Sequence, residues 1–182
     1  MSFVIDYLLI PMYLMLPAYV ANMAPVVFSK TLKFMAIPVD GGIKFQNKDI
    51  FGKNKTVRGL VLGTLAGLLI AYFQFILQKN DILTSITILN YSNFLSIGFL
   101  LGFGALLGDL IESFFKRRLN IAPGEKFIPF DQLDFVLGSL LLLSIHYVPS
   151  LEIIIAIILV SFFGHIIINR LGYILKIKKN KW

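Results

Sequence analysis

The sequence predicts an all-α integral membrane protein with five transmembrane helices, the N-terminus outside, the C-terminus cytoplasmic, and two charged cytoplasmic loops. Three observations carry this. The 182 residues are 57% hydrophobic and only 15% charged, with mean hydropathy +0.81, whereas soluble domains are about 45–50% apolar and about 25% charged. The apolar residues gather into runs near the roughly 20 residues that a helix needs to cross a bilayer. The cations, finally, fall almost wholly on alternate connections between those runs.

Taken in order, the spans cover about 3–28, 57–77, 92–111, 132–149 and 151–175. They form one membrane-embedded domain over 1–182, with cytoplasmic loops at about 29–56 and 112–131. The first lacks a basic leader and is expected to be retained, with Pro11 and Pro17 kinking it. The fourth is short, about 135–147, and reaches span length when counted from Gln132 to Pro149. With these spans, sixteen of the seventeen basic residues share one side. Lys30, Lys33, Lys44, Lys48, Lys53, Lys55 and Arg58 surround the first loop, and Lys116, Arg117, Arg118 and Lys126 the second. Arg170, Lys176, Lys178, Lys179 and Lys181 follow at the C-terminal end, while Lys79 alone lies opposite. The positive-inside rule makes the crowded side cytoplasmic, and chemistry is expected at that face of the cell membrane. The net charge of +7 thus belongs to a membrane surface, and no nucleic-acid partner is expected. The absence of cysteine excludes disulfides, thiolate catalysis and Cys-ligated zinc.

The third span carries Gly98, Gly102, Gly104 and Gly108, and the second Gly59, Gly63 and Gly67, on spacings that let helices approach closely. Asp109 ends an otherwise uncharged helix, where an ionisable group is costly unless paired or hydrated. Glu112 follows on the same face, and an i,i+4 pair with Lys116 is sufficient to explain it; with Glu125 and Lys126 it is expected to do no more than solvate the loop. Asp131 and Asp134 share a face at the start of the fourth span. One such Asp is a helix cap; two, opposite Asp109, fit a divalent cation, and hard oxygen ligands without Cys favour Mg²⁺ over zinc. Lys116-Arg117-Arg118 beside these acids suits a phosphate-rich ligand, though a basic run also attracts anionic headgroups. In the first loop, Gly52-Lys53-Asn54-Lys55-Thr56 lacks the earlier glycine of a Walker A loop, but Lys55, Thr56 and Arg58 sit at a helix N-terminus that favours an anion. Asn22, His165 and Asn169 are intramembrane polar residues for which interhelical hydrogen bonding and ligand contact both stand.

These residues resemble a known family. Gly108-Asp109, the run from Ser113 to Arg118, and Asp131-Gln132-Leu133-Asp134-Phe135 look like the cytidylyltransferase signature of CDP-diglyceride synthases, in the compact form of CDP-archaeol synthases. The likeness extends to Tyr19 through Pro25, Pro38-Val39-Asp40-Gly41, Gly52, Lys55 through Gly59, and His165 through Asn169. It departs at Lys53-Asn54, where the family usually has Asp-Gly, and at Val57, where it has Trp. The resemblance implies a phosphate cytidylyltransferase that uses CTP and Mg²⁺ to activate an isoprenoid ether lipid phosphate, 2,3-bis-O-geranylgeranyl-sn-glycerol 1-phosphate. It would release pyrophosphate and feed archaeal phospholipid biosynthesis. Asp109, Asp131 and Asp134 are then the expected metal ligands, and Lys55, Lys116 and Asp131 the catalytic groups. Asn22, Asp40, Lys55, Thr56, Arg58, Lys116, Arg117, Arg118, Gln132, His165 and Asn169 are expected to bind substrate. Self-association into a homo-oligomer stays open. The alternatives are an anion transporter, an enzyme for acyl phosphatidate, and a non-catalytic scaffold for anionic lipid; the lack of an internal repeat and the gathering of charge at one face speak against transport.

Overall fold

The structure, a computed structural model, describes residues 3–29, 31–122 and 125–174. Lys30, Lys176, Lys178, Lys179 and Lys181, counted above, and Leu175 at the end of the fifth expected span lie outside the described residues. Five helices form the bundle: α1 (Ile10–Val27, entered through a π-helical turn Ile5–Leu9), α2 (Val57–Lys79), α3 (Phe94–Arg118), α4 (Phe130–Leu143) and α5 (Leu151–Ile174). The first loop adds a two-stranded antiparallel hairpin, β1 (Lys44–Phe45) and β2 (Lys48–Asp49).

Among the described residues, four helical runs are long and apolar enough to cross a membrane: Ile5–Val27, Val57–Lys79, Tyr91–Arg118 and Leu151–Ile174. Within the expected fourth span, 132–149, the helix is shorter than the span. α4 has 14 residues, about 21 Å at 1.5 Å per residue, against a hydrocarbon core of about 30 Å. Ser144 Oγ donates to Leu141 O at 2.6 Å as the chain leaves the helix, and Pro149 disfavours helical backbone at Val148. α3 corrects the expectation in the other direction: residues 112–118, assigned to a loop, form two more turns of helix. Lys116, Arg117 and Arg118 occupy its last turn, where cations complement the negative end of the helix dipole.

α3 is the central helix, packed against α4, α2 and α1, while α5 leans on α1 and α4. Glycine makes the approach possible. A Cβ at Gly67 would lie 2.8 Å from the Gly102 Cα, and one at Gly104 would lie 2.7 Å from the Gly138 carbonyl oxygen, so larger residues would force these helices apart. Tyr13, Leu14, Met15, Leu101, Ala105, Phe135, Val136 and Ile157 form the core between them.

One of the prolines in α1 creates a need that α2 meets. Pro17 has no N–H for the carbonyl of Tyr13, four residues earlier, and Gln74, only 1% exposed, donates its amide Nε2–H to that oxygen at 2.6 Å.

Candidate active site

A cavity of about 760 Å³ opens where α1 ends, α2 begins, α3 ends and α4 begins, with the later part of α5 as a further wall. The α3–α4 contact places its acids. Gly108 and Gly138 face each other so closely that a Cβ on Gly108 would collide with the Asp134 carbonyl group. The neighbouring Asp109 and Asp134 thereby converge. Together with Glu112 they bring carboxylate oxygens within 4.8 Å of one another. Glu112 is buried, 7% exposed, which corrects its reading as a loop solvator. Its i+3 spacing from Asp109 was the available signal, because residues three apart share a helical face.

The cations meet these acids from two sides. Lys55 Nζ donates to both Asp109 carboxylate oxygens at 2.6 Å. Lys116 Nζ sits between Asp131 Oδ1 at 2.6 Å and Glu112 Oε1 at 3.1 Å, so the expected i,i+4 pair is present. Asp131 Oδ2 accepts the Phe127 N–H at 2.6 Å. Asp131, expected among the metal ligands, is engaged by Lys116 and the chain before α4; Glu112, which shares Lys116, stands with Asp109 and Asp134 in the acidic group.

Thr56 caps α2, its Oγ1 accepting the Gly59 N–H at 3.2 Å, and Arg58 donates to the Thr31 carbonyl at 3.0 Å; both line the cavity. Asn22, Arg117 and Gln132 also face it, as do His165 and Asn169, which lie 3.2 Å apart through Nδ1 and Nδ2. Glu125 and Lys126 border its mouth.

Two expected substrate-binding residues do not line the cavity. Asp40 is 9% exposed and accepts N–H groups from Gly42 at 3.0 Å, Phe51 at 3.0 Å and Gly52 at 3.3 Å. Its desolvation pushes the carboxyl pKa up, but these backbone donors outweigh it and hold the group below the usual carboxylate range. These bonds close the turn that leads to Gly52, whose φ of +95° suits glycine. Arg118 is the second, turned onto the hairpin by bonds to Phe45 and Asp49 carbonyls.

The donor set fits a hard divalent cation. Four carboxylates, those of Asp109, Glu112, Asp131 and Asp134, face two paired ammonium groups, those of Lys55 and Lys116, and among the described residues no cation forms an ion pair with Asp134. All-oxygen, carboxylate-rich groups of this kind suit Mg²⁺.

Membrane-length helices around a cavity in which carboxylates and cations interleave define an intramembrane enzyme that handles a polyanion. The fold is similar to a solved structure described as an intramembrane enzyme for archaeal membrane lipid biosynthesis, with a TM-score of 0.72 and 29% identity over 87% of this chain and 91% of that one. Residues 4–182 match the family model described as CarS-like CDP-archaeol synthase. Curated CDP-archaeol synthases are similar along most of the chain. That of Thermofilum pendens is 38% identical over 92% of this chain and 78% of its own length, and that of Archaeoglobus fulgidus 35% over 98% and 99%. That of Methanocaldococcus jannaschii is 37% identical over 94% and 95%. The chain belongs to the CarS-like CDP-archaeol synthase family. It is a cytidylyltransferase of archaeal lipid synthesis, as the resemblance in its sequence implied.

Proposed function

We propose that the cavity binds CTP with Mg²⁺ at the cytoplasmic face and transfers CMP to 2,3-bis-O-geranylgeranyl-sn-glycerol 1-phosphate. The observation that supports this reading best is the acidic group of Asp109, Glu112 and Asp134 set against Lys55 and Lys116 in one cavity. The orientation is supported by Lys55, Arg58, Lys116 and Arg117 at the cavity end and Lys79 at the other end of α2. In this topology α4 and the turn after it make the fourth of five crossings.

A lipid phosphate oxygen, already ionised at neutral pH, attacks the α-phosphorus of CTP. The new P–O bond forms as the bond from that phosphorus to the bridging oxygen breaks, and pyrophosphate departs with the electron pair. No general base is required. The obstacle is repulsion between two polyanions, removed by neutralisation and in-line positioning. Lys55, Arg58, Lys116 and Arg117 supply positive charge, with Lys55 or Lys116 nearest the leaving pyrophosphate. Asp131 holds Lys116 in place. Asp109, Asp134 and Glu112 would hold Mg²⁺, which when bound neutralises phosphate oxygens. Thr56, Asn22, Gln132, His165 and Asn169 offer hydrogen bonds to the nucleotide or the lipid head.

The test is purified protein in detergent with CTP, Mg²⁺ and the ether lipid phosphate, followed for pyrophosphate and CDP-lipid. Turnover abolished by EDTA is expected. No turnover, turnover indifferent to EDTA, or a preference for acyl phosphatidate would overturn the reaction, the metal or the lipid assignment respectively.

A further inference from the structure

Arg118 is separated from the cavity and fastened to the first loop. Its Nη1 donates to the Phe45 carbonyl at 2.5 Å, and its Nη2 to those of Asp49 at 2.6 Å and Lys48 at 3.4 Å. The guanidinium carbon lies 5.3 Å from the Phe45 ring centroid and 5.1 Å from that of Phe114. Lys48 Nζ returns a bond to the Arg118 carbonyl at 3.2 Å. This set of contacts uses the planar fork and the flat faces of the guanidinium, neither of which an ammonium reproduces.

The hairpin thus held on the last turn of α3 continues directly into Gly52 and Lys55. Asp40 holds the Phe51 and Gly52 amides, Lys55 N–H donates to the Gly52 carbonyl at 3.1 Å, and Val39 N–H to the Lys55 carbonyl at 2.8 Å. The Lys55 ammonium then returns to α3 at Asp109. The loop is tied to the same helix at both ends of this stretch, once outside the cavity and once inside it.

We infer that Arg118 is a positioning residue for cytidylyl transfer: its clasp on the β1–β2 hairpin sets where the Lys55 ammonium stands over the acidic group. This inference rests on the reaction proposed above. A displacement of about 1 Å at a reacting site can cost on the order of 100-fold in rate, so a loosened hairpin is enough to be seen in turnover.

The test compares Arg118→Lys, Phe45→Ala, Phe45→Tyr and the Arg118→Lys/Phe45→Ala double variant in the purified full chain with Mg²⁺, CTP and the ether lipid phosphate. Hydrogen exchange over residues 44–55 is measured on the same samples. Arg118→Lys is expected to lower kcat/KM for CTP by roughly 10- to 100-fold although the charge is kept. Phe45→Ala should act in the same direction, Phe45→Tyr should keep activity near that of the wild type, and the double variant should be no worse than the worse single one, because both changes loosen the same clasp. Exchange over 44–55 should rise in both single variants. Near-normal turnover in Arg118→Lys, or an unaffected Phe45→Ala, or multiplying losses with unchanged exchange, would overturn the inference in favour of a phosphate clamp. If Arg118→Lys fails to fold, the Phe45 pair decides by itself. If the wild type does not turn over CTP, the reaction falls, and the exchange measurement alone decides the clasp.

Discussion

The two ends of the bundle both carry polar side chains within apolar helices, and they use them in opposite ways. At the end away from the cavity, Gln74 donates to the Tyr13 carbonyl at 2.6 Å. Gln78 donates to the Leu89 carbonyl at 2.8 Å and accepts the Tyr91 N–H at 2.7 Å. These amides close on the backbone and join helix to helix or helix to loop. At the cavity end, Asp109, Glu112 and Asp134 face one another across an open volume. A polar group closed on backbone serves assembly; carboxylates gathered beside one another in a cavity suit a ligand that brings its own charge.

The most damaging way to probe this contrast is Lys116→Met, which leaves Glu112 and Asp131 without their shared partner. Breaking such a largely buried pair is expected to cost roughly 3 kcal/mol of stability together with activity, read from thermal melting in detergent and CDP-lipid formation. Asp134→Asn should separate the two properties. Turnover should fall by about 10²- to 10³-fold, as when one electrostatic group of an active site is removed, while the melting temperature holds or rises because like charges part. A fall in both would assign Asp134 to assembly.

Gln74→Leu is the reverse experiment. It should lower stability by roughly 1–3 kcal/mol through the orphaned Tyr13 carbonyl and leave kcat unchanged in the protein that remains folded. A matching loss of kcat would erase the distinction between the ends. The smallest effect is expected at Asp40. Its depressed pKa means that its contribution to the folded loop is complete above the ordinary Asp value, about 3.9, and is lost as pH falls through the lower folded value. Hydrogen exchange over 40–52 should be pH-independent, after correction for intrinsic rates, at neutral pH and rise only in acid. Asp40→Asn should raise it at neutral pH and remove that acid-dependent step.

The sequence displays the long helices because hydropathy and length respond to the same constraint, the thickness of the bilayer. It conceals where α4 stops, because the apolar run continues past Leu143. It also conceals the true end of α3, because Glu112 and the three cations after it read as a loop until they are seen as the last turns of a helix facing water and a cavity. Asp109 and Asp134 were legible as charges in costly places. Their companion was not: Glu112 and Asp131 are each one turn from a member of the group, and the folded packing brings the Glu112 carboxylate within 4.8 Å of the other two. The backbone partners that Arg118 and Asp40 take in the first loop are not recorded by one-dimensional patterning.

Pro17 also bears on how the protein enters its membrane. An α1 inserted alone would carry the bare Tyr13 carbonyl into hydrocarbon, where an unpaired backbone group costs several kcal/mol. Its remedy is encoded in Gln74, near the far end of the next helix to leave the ribosome. Membrane integration is therefore favoured when the first two helices enter as a hairpin, and a translocation machinery that released α1 before α2 had emerged would release it with that carbonyl unpaired.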